Sequence, residues 1–259
     1  MHIARENVSI LCGIIEFSNI AYSAGNGITM LGNRQTVDHC TIHDIAYSAN
    51  DSAAVYTRGS GHKITHNNLY NSARSLIVHR FTGNTQIMNN VMHDAGFQTT
   101  DFGATYTYGT DSNRYGGSTE IAYNFVYNIT GDPNNFAVGL YLDAGSMNFL
   151  VHHNLVWNTQ VGLKSNPANG TPGQLGYSGQ SGNNTFRDNT ILASYMSVDF
   201  SHRTPDNPIY FTHNIFNSNY STQNGYVFSG NMHTNASTQT NVPLTLDLTN
   251  FNPLNLSAQ

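Results

Sequence analysis

The strongest constraint on this chain is an asparagine that returns at the same place in six consecutive short blocks. Aligned without gaps, eight blocks read CGIIEFSN (12–19), VDHCTIHD (37–44), ITHNNLYN (64–71), IMNNVMHD (87–94), IAYNFVYN (121–128), VHHNLVWN (151–158), FRDNTILA (186–193) and FTHNIFNS (211–218). The fourth column holds Asn67, Asn90, Asn124, Asn154, Asn189 and Asn214, and the sixth is apolar from Phe17 to Phe216. Block starts lie 23 to 35 residues apart, so constant strands are joined by loops of varying length. A unit this short cannot bury an apolar face alone and must stack on its neighbours. An asparagine at one bend of every turn can bond the backbone and the asparagines above and below it, which favours parallel, in-register stacking. Its short side chain also tolerates a left-handed bend. Leucine-rich horseshoes would show regular leucine columns, and a propeller would lack the asparagine column. The expected fold is all-β, a right-handed parallel β-helix of about eight coils with an asparagine ladder. It is expected to occupy residues 1–240 as one domain, with 241–259 as a C-terminal tail.

A second strand follows each of six blocks: AAVYTRG (53–59), SLIVHRFTG (75–83), GATYTYG (103–109), VGLYLDAG (138–145), QVGLKSNP (160–167) and MSVDFSHR (196–203). Anchored on Val55, Ile77, Thr105, Leu140, Leu163 and Asp199, the next column reads Tyr56, Val78, Tyr106, Tyr141, Lys164, Phe200. Two positions further it reads Arg58, Arg80, Tyr108, Asp143, Asn166, His202. Strand side chains alternate faces, so apolar anchors place both columns outward, with coils roughly 4.8 Å apart. A long face of tyrosines and a few charges suits a polysaccharide, whose sugars lie on rings and whose hydroxyls need fixed polar partners. Arg58, Arg80, Tyr106, Tyr108, Tyr141, Lys164 and His202 are therefore the expected substrate contacts.

Charged residues make up only 10% of the chain, yet Asp101, Asp111, Glu120 and Asp143 cluster within about forty residues, beside the insertions TDSNRYGGSTE and TGDPNNFA. Cleaving a glycosidic bond takes two carboxyl groups. Asp143 stands in a column otherwise filled by Arg, Tyr and Asn, so a turn role explains it poorly, and Arg80 is expected beside it. Asp101 occupies the place of Asp51 in an earlier coil and lies seven residues before Tyr108, near Asp143 only if the chain folds back. Asp111, three residues past Tyr108, is the other partner. Glu120 opens a strand and reads as structural.

The run DFGATYTYGTDSNRYGGSTEIAYNFVYN, followed by GLYLDAGSMNFLVHHNLVWN, resembles the core of right-handed parallel β-helix carbohydrate-active enzymes. It is most similar to bacterial β-helix glycosidases of the α-fucosidase and xylanase type. The resemblance implies an acidic catalytic pair, with Asp101 and Asp143 matching the family's two aspartates and Asp111 a further acidic position. Ala144 departs from the family, which often carries an acidic or amide residue there. The resulting expectation is a glycoside hydrolase. A polysaccharide lyase or uronan epimerase is the alternative, with Arg80, Lys164 or His79 acting on a uronate, and a non-catalytic carbohydrate-binding β-helix is a third reading.

A net charge of −5 without any Lys/Arg run argues against nucleic acid or an anionic membrane as partner. No apolar stretch approaches the length of a membrane-spanning helix. MHIARENVSI lacks the apolar segment of a signal peptide, and the expected location is secreted or periplasmic. Cys12 and Cys40 read as buried thiols. His39 and His66 share a column, but no third ligand is evident, so they are expected as stacked side chains. No cofactor is expected, and calcium on the acidic loops is the better metal reading.

Overall fold

The computed structural model describes residues 8–10, 13–48, 51–131, 137–167, 181–200, 204–218, 220 and 223–234. His202, Cys12 and residues 241–259 lie outside them. Each coil contributes one strand to each of three parallel sheets, and every sheet is ordered as the chain is. The first sheet has eight strands, from Val8–Ile10 to Met196–Asp199. The second has nine, from Ile14–Glu16 to Tyr226–Ser229, and the third nine, from Asn19–Ser23 to Met232–His233. The molecule is a parallel β-helix, a coil longer than expected on two of its three faces. Among the described residues the only helical turn is the short 3-10 helix Ser112–Tyr115.

The core is built of columns. Val37, Ile64, Ile87, Ile121, Val151, Phe186 and Phe211 pair in register along the second sheet, all fully buried. At the next corner the asparagine side chains form one hydrogen-bonded run. Each Nδ2 donates to the Oδ1 of the next, from Asn67 through Asn90, Asn124, Asn154, Asn189 and Asn214 to Asn231, at 2.9–3.0 Å. Each also bonds backbone: Asn124 Nδ2 donates to the Ile87 carbonyl, and its Oδ1 accepts from the Asn90 N–H. This satisfies buried main-chain groups at a bend where no ladder can. The run adds Asn231, which the alignment missed, and Cys40 stands where the run begins, its N–H donating to Asn67 Oδ1. Cys40 is a buried free thiol.

Three details of the alignment change. The left-handed residue at the corner is the one before the asparagine: His39, His66, Asn89, Tyr123, His153, Asp188 and His213 have φ between 50° and 57°. The asparagines instead hold ordinary backbone and use their amides as staples. The first block slides by three, because Ile15 pairs with Val37 and Ile20 with Ile42. Ser18 takes the asparagine position and Phe17, aligned as core, is 76% exposed. In the last strand of the first sheet Val198 pairs with Leu163, and Asp199 with Lys164. Val198 is thus the anchor, Asp199 faces outward, and Phe200 is buried in the core.

Candidate active site

Asp143 ends the strand Ala137–Asp143, in register with Tyr108. The chain then turns through Ala144 and Gly145, both at positive φ (37° and 76°), and Ser146 donates to the Asp143 carbonyl from its N–H and its hydroxyl. The turn swings the backbone away, while the carboxylate stays 5% exposed. Tyr106 donates to Oδ2 at 2.8 Å, and the Asn166 amide and the Ala144 N–H each donate to Oδ1 at 2.8 Å. The Tyr141 hydroxyl lies near enough to feel the charge of Asp143 as well. Burial, reinforced by the negative charge of Asp143, pushes both tyrosine hydroxyls far above their ordinary range. They are committed donors.

Asp101 does fold back. It sits just before the strand Phe102–Tyr108 with φ 54°, exposed, and its Oδ1 accepts from the Tyr141 hydroxyl at 3.3 Å. The two carboxylates therefore each accept from one of two packed tyrosines, Tyr141 for Asp101 and Tyr106 for Asp143. Arg74 fixes the approach to Asp101. It donates to the Asp101 carbonyl at 3.1 Å, pairs with Asp51, and lies 5.3 Å from the Tyr106 ring centroid. Asp51 and Asp101, equivalent in sequence, are thus joined by one guanidinium. A pocket of about 480 Å³ is lined by residues 96–100 and 130–131, so its wall ends one residue before Asp101 and does not include Asp143.

Several expected contacts take other roles. The rings of Tyr106 and Tyr141 are buried and packed with Ala53, Val78, Val138 and Val161. They meet each other edge to face at 5.3 Å, so they present hydroxyls rather than flat platforms for a sugar. The apolar residues beside them on the same outer face close over the rings. Lys164 lies 5.3 Å from the Tyr141 ring and pairs with Asp199 at 2.7 Å, a carboxylate the one-residue slip had turned inward. Arg80 is not Asp143's neighbour, because Tyr108 intervenes: the Arg80 guanidinium is 5.3 Å from the Tyr108 centroid. Arg58 and Arg80 flank the ring of Phe81 at 5.1 and 5.3 Å, and Arg58 donates to Tyr56 at 2.7 Å.

Asp111 is a cap. Its carboxylate accepts from the Asn113 N–H, which starts the 3-10 helix, and from Asn148 at 2.6 Å, with Arg114 at 3.5 Å. It shares no partner with Asp143. His79 points inward and is fully buried against Phe149, so it cannot reach a groove. Glu120 accepts from His152 at 2.7 Å, a structural contact on the second sheet. The third ligand missing beside His39 and His66 exists: Asp38 bonds both rings.

No protein-family model matches the chain, and no curated protein matches it. Solved structures that resemble it include the following two. A XylC in complex with xylose gives a TM-score of 0.47 at 12% identity, covering 86% of this chain and 52% of its own, so this chain spans about half that protein. An alginate lyase from Paenibacillus sp. str. FPU-7 gives 0.44 at 12% identity, covering 88% of this chain and 97% of its own.

Proposed function

We propose that this β-helix is a carbohydrate-processing enzyme, a glycoside hydrolase that uses Asp143 and Asp101 as its acidic pair. The observation that carries this reading is the packed tyrosine pair, in which Tyr141 donates to Asp101 and Tyr106 to Asp143, so that both carboxylates meet at neighbouring hydroxyls. A spacing of roughly 5–9.5 Å is what a glycosidase pair needs. Asp143, enclosed by donors, suits the nucleophile or base. Asp101, exposed and next in the chain to the pocket-lining Thr100, suits the group that meets the leaving oxygen. Tyr106 and Asn166 fix the Asp143 carboxylate against rotation, and Lys164 and Asp199 extend the polar row by one coil. Asp111, already occupied as a cap, drops out of the pair.

The test is turnover on a panel of neutral and acidic polysaccharides. Asp143→Asn and Asp101→Asn should each lower kcat by about 10²–10⁴-fold, the usual worth of a positioned acid or base, with the far-ultraviolet circular dichroism spectrum unchanged. Full turnover in Asp143→Asn would overturn the reading.

One observation favours the lyase alternative: among the described residues neither Arg58 nor Arg80 has an acidic partner, and Arg80 Nε is buried without a hydrogen bond. Such cations suit a uronate. Against it, the raised tyrosines are poor proton acceptors, Lys164 is already paired, and His79 is sealed in the core. Unsaturated products from a uronate polymer would establish elimination instead.

A further inference from the structure

Away from the first sheet, at the corner between the second and third, the carboxylate of Asp38 faces two imidazoles from adjacent coils. Its Oδ2 lies 2.6 Å from His39 Nδ1 and its Oδ1 2.9 Å from His66 Nδ1. The two rings stack at 4.7 Å with their planes 22° apart, which brings both Nδ1 atoms to the same edge. All three potential ligand atoms lie within 4.8 Å of one another. The carboxylate is oriented by the Thr65 hydroxyl, which donates to Oδ1 at 2.5 Å, as metal-binding carboxylates usually are. Both histidines are 47% exposed and can be reached from solvent. The corner fixes their direction, since each sits at positive φ, 50° for His39 and 54° for His66.

We propose that Asp38, His39 and His66 form a binding site for a divalent late first-row transition ion, zinc or nickel in type. Two imidazoles and one carboxylate are the donor set such ions prefer, with the remaining positions left to water. A hard ion such as calcium, which takes six to eight oxygens, finds only the carboxylate here. As the ion enters, each ring moves its hydrogen from Nδ1 to Nε2, so a neutral pair loses no proton, while a protonated ring releases one. The ion then joins Asp38 and His39 of one coil to His66 of the next and braces the stack. This site is on a different sheet from Asp143 and does not depend on the reading of that centre.

Calorimetric titration of the chelator-treated full chain with zinc chloride at pH 7.5 tests this, with cobalt(II) absorption reporting the coordination. One equivalent of zinc should bind. Asp38→Asn and His66→Gln should each weaken it by at least about tenfold, His233→Ala should leave it unchanged, and calcium chloride should give no heat. Absence of zinc binding at millimolar concentration overturns the proposal. So does unchanged zinc affinity in an Asp38→Asn/His39→Gln/His66→Gln variant whose circular dichroism matches the parent, because the ion would then sit on other histidines.

Discussion

His79 lies wholly inside the coil, and neither ring nitrogen has a hydrogen-bond partner. Burial holds its imidazole down at about 3, against an ordinary value near 6.5. Between those two values the unfolded chain binds a proton that the folded chain refuses. Stability therefore falls as pH drops through that window and is unaffected above it. At pH 5 the loss is about 2 kcal/mol, from roughly 1.4 kcal/mol for each of about 1.5 pH units. His79→Leu keeps a similar volume and removes both unpaired nitrogens. Urea unfolding should find it as stable as the parent or more so at pH 7.5, with the drop in stability between pH 7.5 and 5 smaller by about 2 kcal/mol. An identical drop in both proteins would show that His79 does not set this slope. The same residue shows why some roles cannot be read from sequence. Alternation from the inward anchor Ile77 already turns His79 in and Arg80 out, and the irregularity between His79 and Thr82 comes only after it, so what the sequence hid was the complete enclosure of the ring.

Each coil stacks on the next through a small set of close contacts, and the glycines of the first sheet mark where there is no room. A Cβ on Gly162 would lie 2.1 Å from Ile191 Cγ2 and 2.8 Å from the Ser197 carbonyl oxygen. Gly162→Ala should cost about 1–3 kcal/mol as the strand Val161–Ser165 is pushed off its neighbours, measured by denaturant midpoint at constant m-value. An unchanged midpoint would mean the coil can shift at no cost. The strand elements were legible wherever a column repeated. Six asparagines gave the stacking direction and the register of the middle coils, and the odd residue in a polar column, Asp143, marked the candidate site. Legibility ended at the edges of the repeat. Ser18 replaces the asparagine in the first coil, so apolar residues alone set that alignment and it slid by three. In the strand Met196–Asp199 the hydrophobic cue is a single valine, Val198, and a slip of one hid Asp199 from the face it shares with Lys164. Asp38 was invisible as a ligand because its column also holds Glu16, Thr65 and Met88. Nothing in that mixture marks one carboxylate as special until His39 and His66 are placed around it.

Among the described residues, each strand touches chiefly the strands before and after it in its own sheet and its neighbours within the coil. Stability is then close to a sum of coil terms and nearest-neighbour interfaces, and opening can begin at an end and spread inward. The asparagine run is the feature that crosses most of those interfaces, and its position along the axis should decide what a break does. Replacing Asn124 by Ala orphans the Asn90 N–H and the Ile87 carbonyl, a cost of about 2–6 kcal/mol at one to three for each buried group. Replacing Asn214 orphans the Asn189 N–H and the Phe186 carbonyl and should cost a similar amount. Amide hydrogen exchange should separate the two. Asn214→Ala should speed exchange in the strands Ile209–Thr212 and Ile215–Phe216 and leave Ile64, Ile87 and their coil neighbours as protected as before. Asn124→Ala, in the middle, should lower protection on both sides, across Ile87 to Phe186. If both variants lower protection uniformly from end to end, the β-helix unfolds as one cooperative unit. The site at Asp143 would then depend on the terminal coils as much as on its own.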